Sequence, residues 1–547
     1  MWPPAHRWSP GALPVALIAV AYLSLCACGS GNTGTPISPV SPNSTNTLRR
    51  GIGGEPATLD PALATDSFSF EVIRDTYEGL TTESADGLVI PGAAASWVIS
   101  ESGTTYEFKL RPNLRWSNGA RLNAADFVRA WQRVVDPHIG SPVADALLPI
   151  AGASEIIAGR LPPSALGATA VAGDSLVVRL KEPTPYFLQL LTHTALFPIY
   201  SQASAEAHSS ANWVSNGPYK LRAWVPGESI TLTKNPRYWN EHSVQIPNIT
   251  YVVVADENAE LRQYLAGQID VTESVPSNSL STIKSQRPKE LYVKPFLGTA
   301  YYALNLNKIE FRDNRLLRKA LAMAIDRKLL ATRVLNFGQK PSYGFVPPGT
   351  WNYTPQHWSW SAMDDGERIA EARRLYRQAG YSSNHPLRIR MLINSNALIR
   401  AAALATASMW KSALGVRTII IEQENRVFLQ SRRDPTLWDV ARLGWTADYD
   451  DASDFLDIFR SGSPNNDARY SSGKFDDLMN EAARTADPTK RRTILERAER
   501  QMLSDYPVIP IYSYVSKRLV KPNVGGVHQT NMDRLYSKYL FFKSQKP

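Results

Sequence analysis

Residues 387–421 read LRIRMLINSNALIRAAALATASMWKSALGVRTIII, and this stretch decides the fold class. Residues 387–393 and 416–421 are short and rich in branched aliphatic side chains, which predicts two strands. Residues 398–414 between them have the length and apolar content of a helix. A strand, a helix and a strand in succession predict two parallel strands joined by a crossover helix, and therefore an α/β fold.

Outward from this unit, strands and helices mix without a regular repeat. Alternating or β-branched segments predict strands at residues 106–110, 175–180, 230–233 and 249–254. Apolar periodicity predicts helices at residues 315–334, 366–379 and 488–503. Gly380 is expected to close the second helix, and Asp487 with Pro488 to open the third. The buried stripe of the third helix is predicted to contain Ile494, Ala498 and Met502.

Chain length and composition limit the class of protein. At 547 residues the chain is too long for one hydrophobic core, and two or three domains of roughly 100–200 residues are expected. The net charge of +10 comes from 60 basic and 50 acidic residues. The basic residues form no run of five and no stripe on a predicted helix, so the excess is dispersed and solvated. We therefore expect no nucleic-acid partner.

The N-terminal residues have the parts of a bacterial lipoprotein export signal. Arg7 supplies the positive charge, and residues 12–25 form an apolar segment too short for a permanent membrane span. Residues 25–28, Leu-Cys-Ala-Cys, fit a lipobox, with a small residue directly before Cys28. We expect lipidation of Cys28 and a mature chain outside the cytoplasm, in the periplasm or at the outer face of the cell membrane. An ordinary signal peptide with unused cysteines is the alternative, and the choice of anchoring membrane stays open.

The chain beyond the signal starts with a polar segment and has no further cysteine. The two cysteines of the chain are Cys26 and Cys28, so the folded part has none left for disulfides or thiolate metal sites. Residues 28–47 are rich in Gly, Ser, Pro and Asn without apolar periodicity. They predict a flexible tether between the lipid and the fold.

Three groups of short segments carry a family resemblance. In chain order they are YEFKLR, LRWSNG and AADF at residues 106–111, 114–119 and 124–127; NGPYKL and NPRYW at 216–221 and 235–239; and DVARLGWTADY, LVKP and GG at 439–449, 519–522 and 525–526. In this order and spacing they resemble the peptide-binding (family 5) solute-binding proteins of ABC importers. The resemblance runs from about Leu48 to the C-terminus.

The resemblance implies an α/β fold of two hinged lobes, with mixed sheets, flanking helices and an extra inserted domain. The lobes close on a ligand that contacts both of them. It implies a monomer that passes short peptides to an ABC permease in the cytoplasmic membrane, without catalysis, cofactor or metal. The expected boundaries are 1–27 for the signal peptide, 28–47 for the tether, 48–77, 201–297 and 516–547 for lobe I, 78–200 for the inserted domain, and 298–515 for lobe II.

The resemblance also implies ligand contacts. Asp448 matches the acid that pairs with the peptide's α-ammonium in oligopeptide-binding members, and Arg442 matches the Arg that pairs with the carboxylate. A free peptide is a zwitterion, so burial of its ends needs an opposite charge at each. An internal ion pair or a helix cap is the alternative role for both residues. Further matches to residues that line the cleft are Gly444, Trp445, Arg432, Tyr301, Asn394, Tyr514 and His193, with Thr65 to Ser67 as a strand-like backbone contact.

Several residues have a second interpretation or depart from the family. Asp450, Asp451 and Asp454 have the composition of a metal cluster, but we expect them to start a helix near Phe455. A lone histidine such as His193 is more often structural. The departures are Ile399, Val143 and Asn425, which replace a His, a Tyr and a Trp of the oligopeptide-binding members, and Gly298 and Thr446, which replace a pair of cysteines.

Three other functions are weighed. A muropeptide-binding protein would need an extra basic group, for which Arg432 and Arg400 are candidates. A hydrolase would need a catalytic motif, but the sequence has no Gly-x-Ser-x-Gly, no His-Glu-x-x-His and no Walker motif, and its eight histidines are scattered. A structural or adhesive lipoprotein would lack an enclosed cleft.

Overall fold

The computed structural model describes residues 46–171, 174–200, 213–336, 338–528 and 530–543. The predicted signal peptide, Cys28 and the tether up to residue 45 lie outside the described residues. The first strand begins at Thr47, which was expected to be the last residue of the tether. Among the described residues, no helix is both long and apolar enough to cross a membrane.

Strands and α-helices alternate irregularly along the described chain. The strands are β1 (Thr47–Ile52), β2 (Thr81–Glu83), β3 (Val89–Pro91), β4 (Ala94–Ile99), β5 (Thr105–Leu110), β6 (Ala168–Val171), β7 (Ser175–Arg179), β8 (Tyr219–Val225), β9 (Ser229–Lys234), β10 (Asn248–Val253), β11 (Leu291–Leu304), β12 (Lys340–Pro341), β13 (Arg388–Asn394), β14 (Arg417–Gln423), β15 (Val440–Thr446), β16 (Val508–Leu519), β17 (Val524–Gly525) and β18 (Phe541–Phe542). The helices are α1 (Ser67–Thr76), α2 (Ala124–Val135), α3 (Ala153–Ile157), α4 (Phe187–Leu190), α5 (Glu257–Leu265), α6 (Leu280–Gln286), α7 (Ile309–Arg312), α8 (Arg315–Met323), α9 (Arg327–Leu329), α10 (Asp365–Gln378), α11 (Ala397–Leu414), α12 (Asn425–Ser431), α13 (Ala452–Leu456), α14 (Gly473–Ala483) and α15 (Pro488–Asp505).

The described strands form mixed sheets. The largest has the order β12-β16-β11-β15-β13-β14, and two smaller sheets have the orders β1-β10-β9-β8 and β4-β5-β7-β6. β13 and β14 are parallel and are joined by α11, which confirms the predicted crossover unit. β15 pairs with β13 in parallel and with β11 in antiparallel fashion, so the largest sheet is mixed.

The predicted elements are confirmed except for one helix. α15 begins after Asp487, whose side chain accepts from the Lys490 N–H at 2.7 Å, and α10 is followed by Gly380 with φ of 93°. The single helix predicted at residues 315–334 is wrong. α8 ends at Met323, and Asp326 starts a new helical segment by accepting from the Leu329 N–H at 2.8 Å. An N-cap needs an extended backbone, so a capping aspartate interrupts an otherwise continuous apolar pattern.

The buried side chains form two hydrophobic cores. The C-terminal core runs from Val254 to Leu519 and covers the six-stranded sheet. The N-terminal core contains residues of 48–251, together with Val271 and residues of 520–540, and packs the two four-stranded sheets. Leu519 belongs to the C-terminal core and Val520 to the N-terminal one, so β16 leads directly from one half to the other. The domain boundaries expected from the sequence stay a prediction.

Candidate functional site

A cavity of about 850 Å³ lies between residues of the two cores. This volume is in the range of small-molecule and short-ligand sites. Its lining from the N-terminal half includes Thr65, Phe70, Val143, Tyr186 and His193, and from the C-terminal half Trp445, Asp448, Tyr449, Asp454 and Arg491. A purely structural or adhesive protein was expected to lack an enclosed cleft, so the cavity argues against that alternative.

Asp448 places an unpaired carboxylate at this cavity. It lies two residues after β15 and four before Ala452, where α13 begins. Its backbone N–H donates to Asp454 Oδ2 at 3.3 Å, but its own carboxylate has no hydrogen-bond or ion-pair partner among the described residues. The side chain is solvent accessible, yet desolvation by its surroundings raises its pKa, an effect that Arg534 opposes. An unpaired acid of this kind is stabilised by a ligand cation.

The neighbouring acids have structural partners. Asp454 Oδ2 accepts from Trp445 Nε1 at 2.9 Å, and burial followed by the charge of Asp448 raises the pKa of Asp454. Asp451 caps α13 by accepting from the Ser453 N–H at 2.9 Å, which confirms its predicted role at the start of this helix. Asp450 accepts from the Trp351 N–H at 2.7 Å. The described residues hold no cluster of His, Cys, Asp or Glu suited to a metal ion.

Arg442 is held by tyrosines and does not line the 850 Å³ cavity. Its Nη2 donates to the Tyr512 hydroxyl at 2.9 Å and to the Tyr514 hydroxyl at 3.3 Å. No carboxylate of the described residues forms an ion pair with it, so the internal ion pair considered from the sequence is not found there. Successive strand residues face opposite sides of a sheet, so Arg442 and Gly444 share one face of β15 and Trp445 lies on the other.

The Tyr514 side chain fills the space beside Gly298 and Gly444. Gly298 on β11 lies directly opposite Thr446 on β15. A Cβ at Gly298 or at Gly444 would collide with the Tyr514 ring. The ring also stacks on Phe296 at 5.6 Å between centroids and lines a second cavity of about 410 Å³. Gly298 and Thr446, the two positions that the resemblance matched to a cysteine pair, are therefore adjacent here, and Tyr514 occupies the neighbouring volume.

The remaining predicted residues do not all line the cavity. Thr65, His193 and Val143 line the 850 Å³ cavity, whereas Ser67 is the first residue of α1. Asn394 ends β13, and Ile399 lies in the first turn of α11. The side chain of Asn425 lies outside the described part of the structure.

Three residues from the family match have other contacts. Tyr301 is buried against Phe345, at 5.0 Å between ring centroids. Arg432 forms an ion pair with Asp467 at 3.4 Å. His193 Nδ1 accepts from the Ala195 N–H at 3.2 Å, and burial followed by nearby arginines lowers its pKa to about 3. His193 is therefore a neutral capping residue that also lines the cavity.

Sequence reasoning missed four residues that surround Asp448. They are Tyr186, Tyr449, Arg491 and Arg534. Tyr449 directly follows Asp448, and this adjacency is a signal that the sequence offered. Tyr186, Arg491 and Arg534 come from distant parts of the chain and carry no local motif.

We expect binding of a free-amine peptide to depend on pH through Asp448. Only the ionised carboxylate pairs with an ammonium group, and its raised pKa moves protonation above the ordinary aspartate value of about 3.9. Affinity is therefore full between the raised pKa and about pH 7, where the α-amino group of the peptide is still protonated, and falls by about tenfold per pH unit below the raised pKa. Titration of Trp fluorescence with trialanine from about pH 7 to about pH 4 measures this dependence.

The matched variant isolates Asp448 from its neighbours. Asp450, whose pKa is raised to about 6 mainly by burial, and Asp454 titrate close by. Asp448→Asn should bind weakly with a much flatter pH profile. The same steep fall in parent and variant would assign the dependence to another group.

Comparisons with known proteins match one family model and several relatives over most of the chain. The family model described as "Bacterial extracellular solute-binding proteins, family 5 Middle" matches residues 89–467. The chain is 37% identical over 538 residues to the periplasmic oligopeptide-binding protein OppA of Salmonella typhimurium, covering 96% of this chain and 98% of the relative. The structure of the Escherichia coli murein tripeptide binding protein MppA is similar with a TM-score of 0.79 at 35% identity, covering 91% and 99% of the two chains. Haemophilus influenzae OppA in complex with RPPGFSPFR gives 0.77 at 34% identity, with 91% and 99% covered.

Proposed function

The chain belongs to the family 5 bacterial extracellular solute-binding proteins, and from this premise we propose that it binds short peptides with a free α-amino group and delivers them to an ABC permease. It is a transport binding protein and not an enzyme. The single observation that carries the peptide proposal is the Asp448 carboxylate, which lines a cavity between the two cores and has no partner in the described part of the chain. Binding at such a place gives the ligand contacts with both halves, which favours the closed state.

We place the mature protein outside the cytoplasm, anchored by lipid at Cys28. The lipobox at residues 25–28 supports the anchor. The relatives described as periplasmic support the compartment. Labelling with radioactive palmitate, lost in Cys28→Ser, tests the anchor directly.

A muropeptide ligand is the second candidate, because one relative is the periplasmic murein peptide-binding protein MppA, 36% identical over 500 residues. The two basic residues suggested for its extra carboxylate both have acid partners. Arg432 pairs with Asp467 at 3.4 Å and Arg400 with Glu422 at 3.3 Å. These partners weigh against a dedicated site for an additional anion and favour general oligopeptides.

Calorimetric titration with trialanine and its N-acetyl derivative tests the proposed function. We expect saturable binding of trialanine and much weaker binding of the acetylated peptide, because acetylation removes the charge that Asp448 pairs with. Binding of a murein tripeptide with no binding of trialanine would favour the second candidate. Binding of neither would contradict the peptide proposal.

Arg442→Ala is expected to weaken short peptide acids more than the corresponding amides. Arg442 does not line the 850 Å³ cavity, but it has no acid partner among the described residues, so a ligand carboxylate that extends to it would meet an uncompensated charge. Loss of a charge-assisted contact costs about 1.5–3 kcal/mol, or roughly 10–150-fold in affinity. Calorimetry with trialanine and trialanine amide measures the difference. If the parent protein binds the acid and the amide equally, Arg442 does not hold the carboxylate.

A further inference from the structure

Resting on the proposed function, we infer that Tyr186 is a positioning residue for peptide binding. By stacking on Tyr449 it holds the two halves of the molecule together beside Asp448, before a ligand arrives. Tyr186 acts through Tyr449, which directly follows Asp448 in the chain.

Each of residues 448–451 contacts a different part of the protein. The Asp448 carbonyl accepts from Arg534 Nη2 at 3.4 Å. Asp450 and Asp451 accept from Trp351 and from Arg491. The Tyr449 ring stacks on Tyr186, a residue of the N-terminal half. The residue expected to bind the ammonium group is therefore part of the segment at which the two halves meet.

The contact between the two tyrosines is well formed. Their ring centroids lie 4.5 Å apart with an interplanar angle of 8°. On the C-terminal side, the guanidinium of Arg491 lies 5.2 Å from the centre of the Tyr186 ring. Arg491 in turn donates twice to Asp451, at 2.7 and 2.8 Å. Tyr186 and Tyr449 both pack against the N-terminal core, and Tyr449, Asp451 and Arg491 come after β15 in the chain. The stack therefore brings a segment of the C-terminal half onto the N-terminal half.

Arg534 provides a second connection on the other side of Asp448. Its Nη1 donates to Glu83 at 2.8 Å and to Thr192 at 2.9 Å, both in the N-terminal half. Its Nη2 reaches the Asp448 carbonyl. Asp448 is thus connected to the N-terminal half through Arg534 and, through its neighbour Tyr449, by the ring stack.

These contacts are made by protein groups alone, so they favour this arrangement of the two halves without a ligand. Apparent affinity equals intrinsic affinity multiplied by the fraction of protein in the competent state. Loss of the stack lowers that fraction, and the peptide must then supply the missing free energy. Removal of the stack costs an aromatic pair with a cation over one ring, so we expect a roughly tenfold loss of affinity.

The test compares Tyr186→Ala with Tyr186→Phe, which keeps the stacked ring. Tyr449→Ala removes the same stack from the other side. Tyr381→Ala removes a tyrosine that stacks on His385 and lines neither cavity, as a control for loss of an aromatic contact elsewhere. Calorimetry with trialanine and small-angle X-ray scattering of the ligand-free proteins are the two measurements.

We expect Tyr186→Ala and Tyr449→Ala to bind trialanine about tenfold more weakly and to have a larger radius of gyration without ligand. Tyr381→Ala should match the parent in both measurements, and Tyr186→Phe, which keeps the stacked ring and loses only the hydroxyl hydrogen bond to Tyr449, should lie closer to the parent than Tyr186→Ala. A Tyr186 that only touched the peptide would change affinity but leave the ligand-free scattering unchanged, and this result would overturn the inference. If the parent itself fails to bind trialanine, the proposed function is in question, and the ligand-free scattering still decides the role of the stack.

Discussion

Asp448→Ala is expected to lower the affinity for a free-amine tripeptide by at least about 30-fold. The substitution removes the partner of the ligand's ammonium group and leaves that charge in a cavity without compensation, which costs roughly 2–5 kcal/mol. The size follows from the position of Asp448, whose carboxylate faces the cavity without a protein partner among the described residues. Isothermal titration with trialanine measures the loss.

Two controls separate the charge effect from structural damage. N-acetyl-trialanine should bind weakly to parent and variant alike, because it lacks the ammonium group. Asp448→Asn keeps the shape and should lose nearly as much affinity as Asp448→Ala. Equal affinity of parent and Asp448→Ala for trialanine would remove Asp448 from the site.

Asp451→Ala is expected to lower the free energy of unfolding by about 3–5 kcal/mol. The change leaves the Arg491 guanidinium buried without its carboxylate, since the two side chains are only 4% and 3% exposed. It also removes the N-cap of α13. Urea denaturation followed by circular dichroism measures the loss.

An exposed ion pair provides the matched control. Arg374 and Glu371 also form two hydrogen bonds, at 2.6 and 2.7 Å, but the side chains are 51% and 25% exposed. Glu371→Ala should therefore cost less than about 1 kcal/mol. Similar losses of unfolding free energy in Asp451→Ala and Glu371→Ala would show that burial does not strengthen the Asp451–Arg491 ion pair.

The fold was predictable where its pattern is local. The crossover unit was visible because β13, α11 and β14 follow one another and each has the composition of its own element. The N-cap at Asp487 was visible for the same reason. The helix predicted at 315–334 was wrong because a single capping residue, Asp326, outweighs a continuous apolar pattern.

The site was only partly predictable. The family resemblance identified Asp448, and the structure places it at the cavity. Arg442 lies only six positions before Asp448, but its side chain contacts tyrosines of β16, which lies two strands away from β15 in the six-stranded sheet. The order of the strands, not the distance in sequence, determines this contact. Contacts such as that between Tyr186 and Tyr449 join residues that are far apart in the chain, and no local sequence pattern predicts them.

Native mass spectrometry of the protein purified without its lipid, before and after mild denaturation to release bound cargo, tests the central claim most directly. Binding of short peptides in the cavity predicts a ladder of additional masses that match peptides of a few residues and disappear on denaturation. No bound mass, and none after addition of a peptide mixture, would contradict the account.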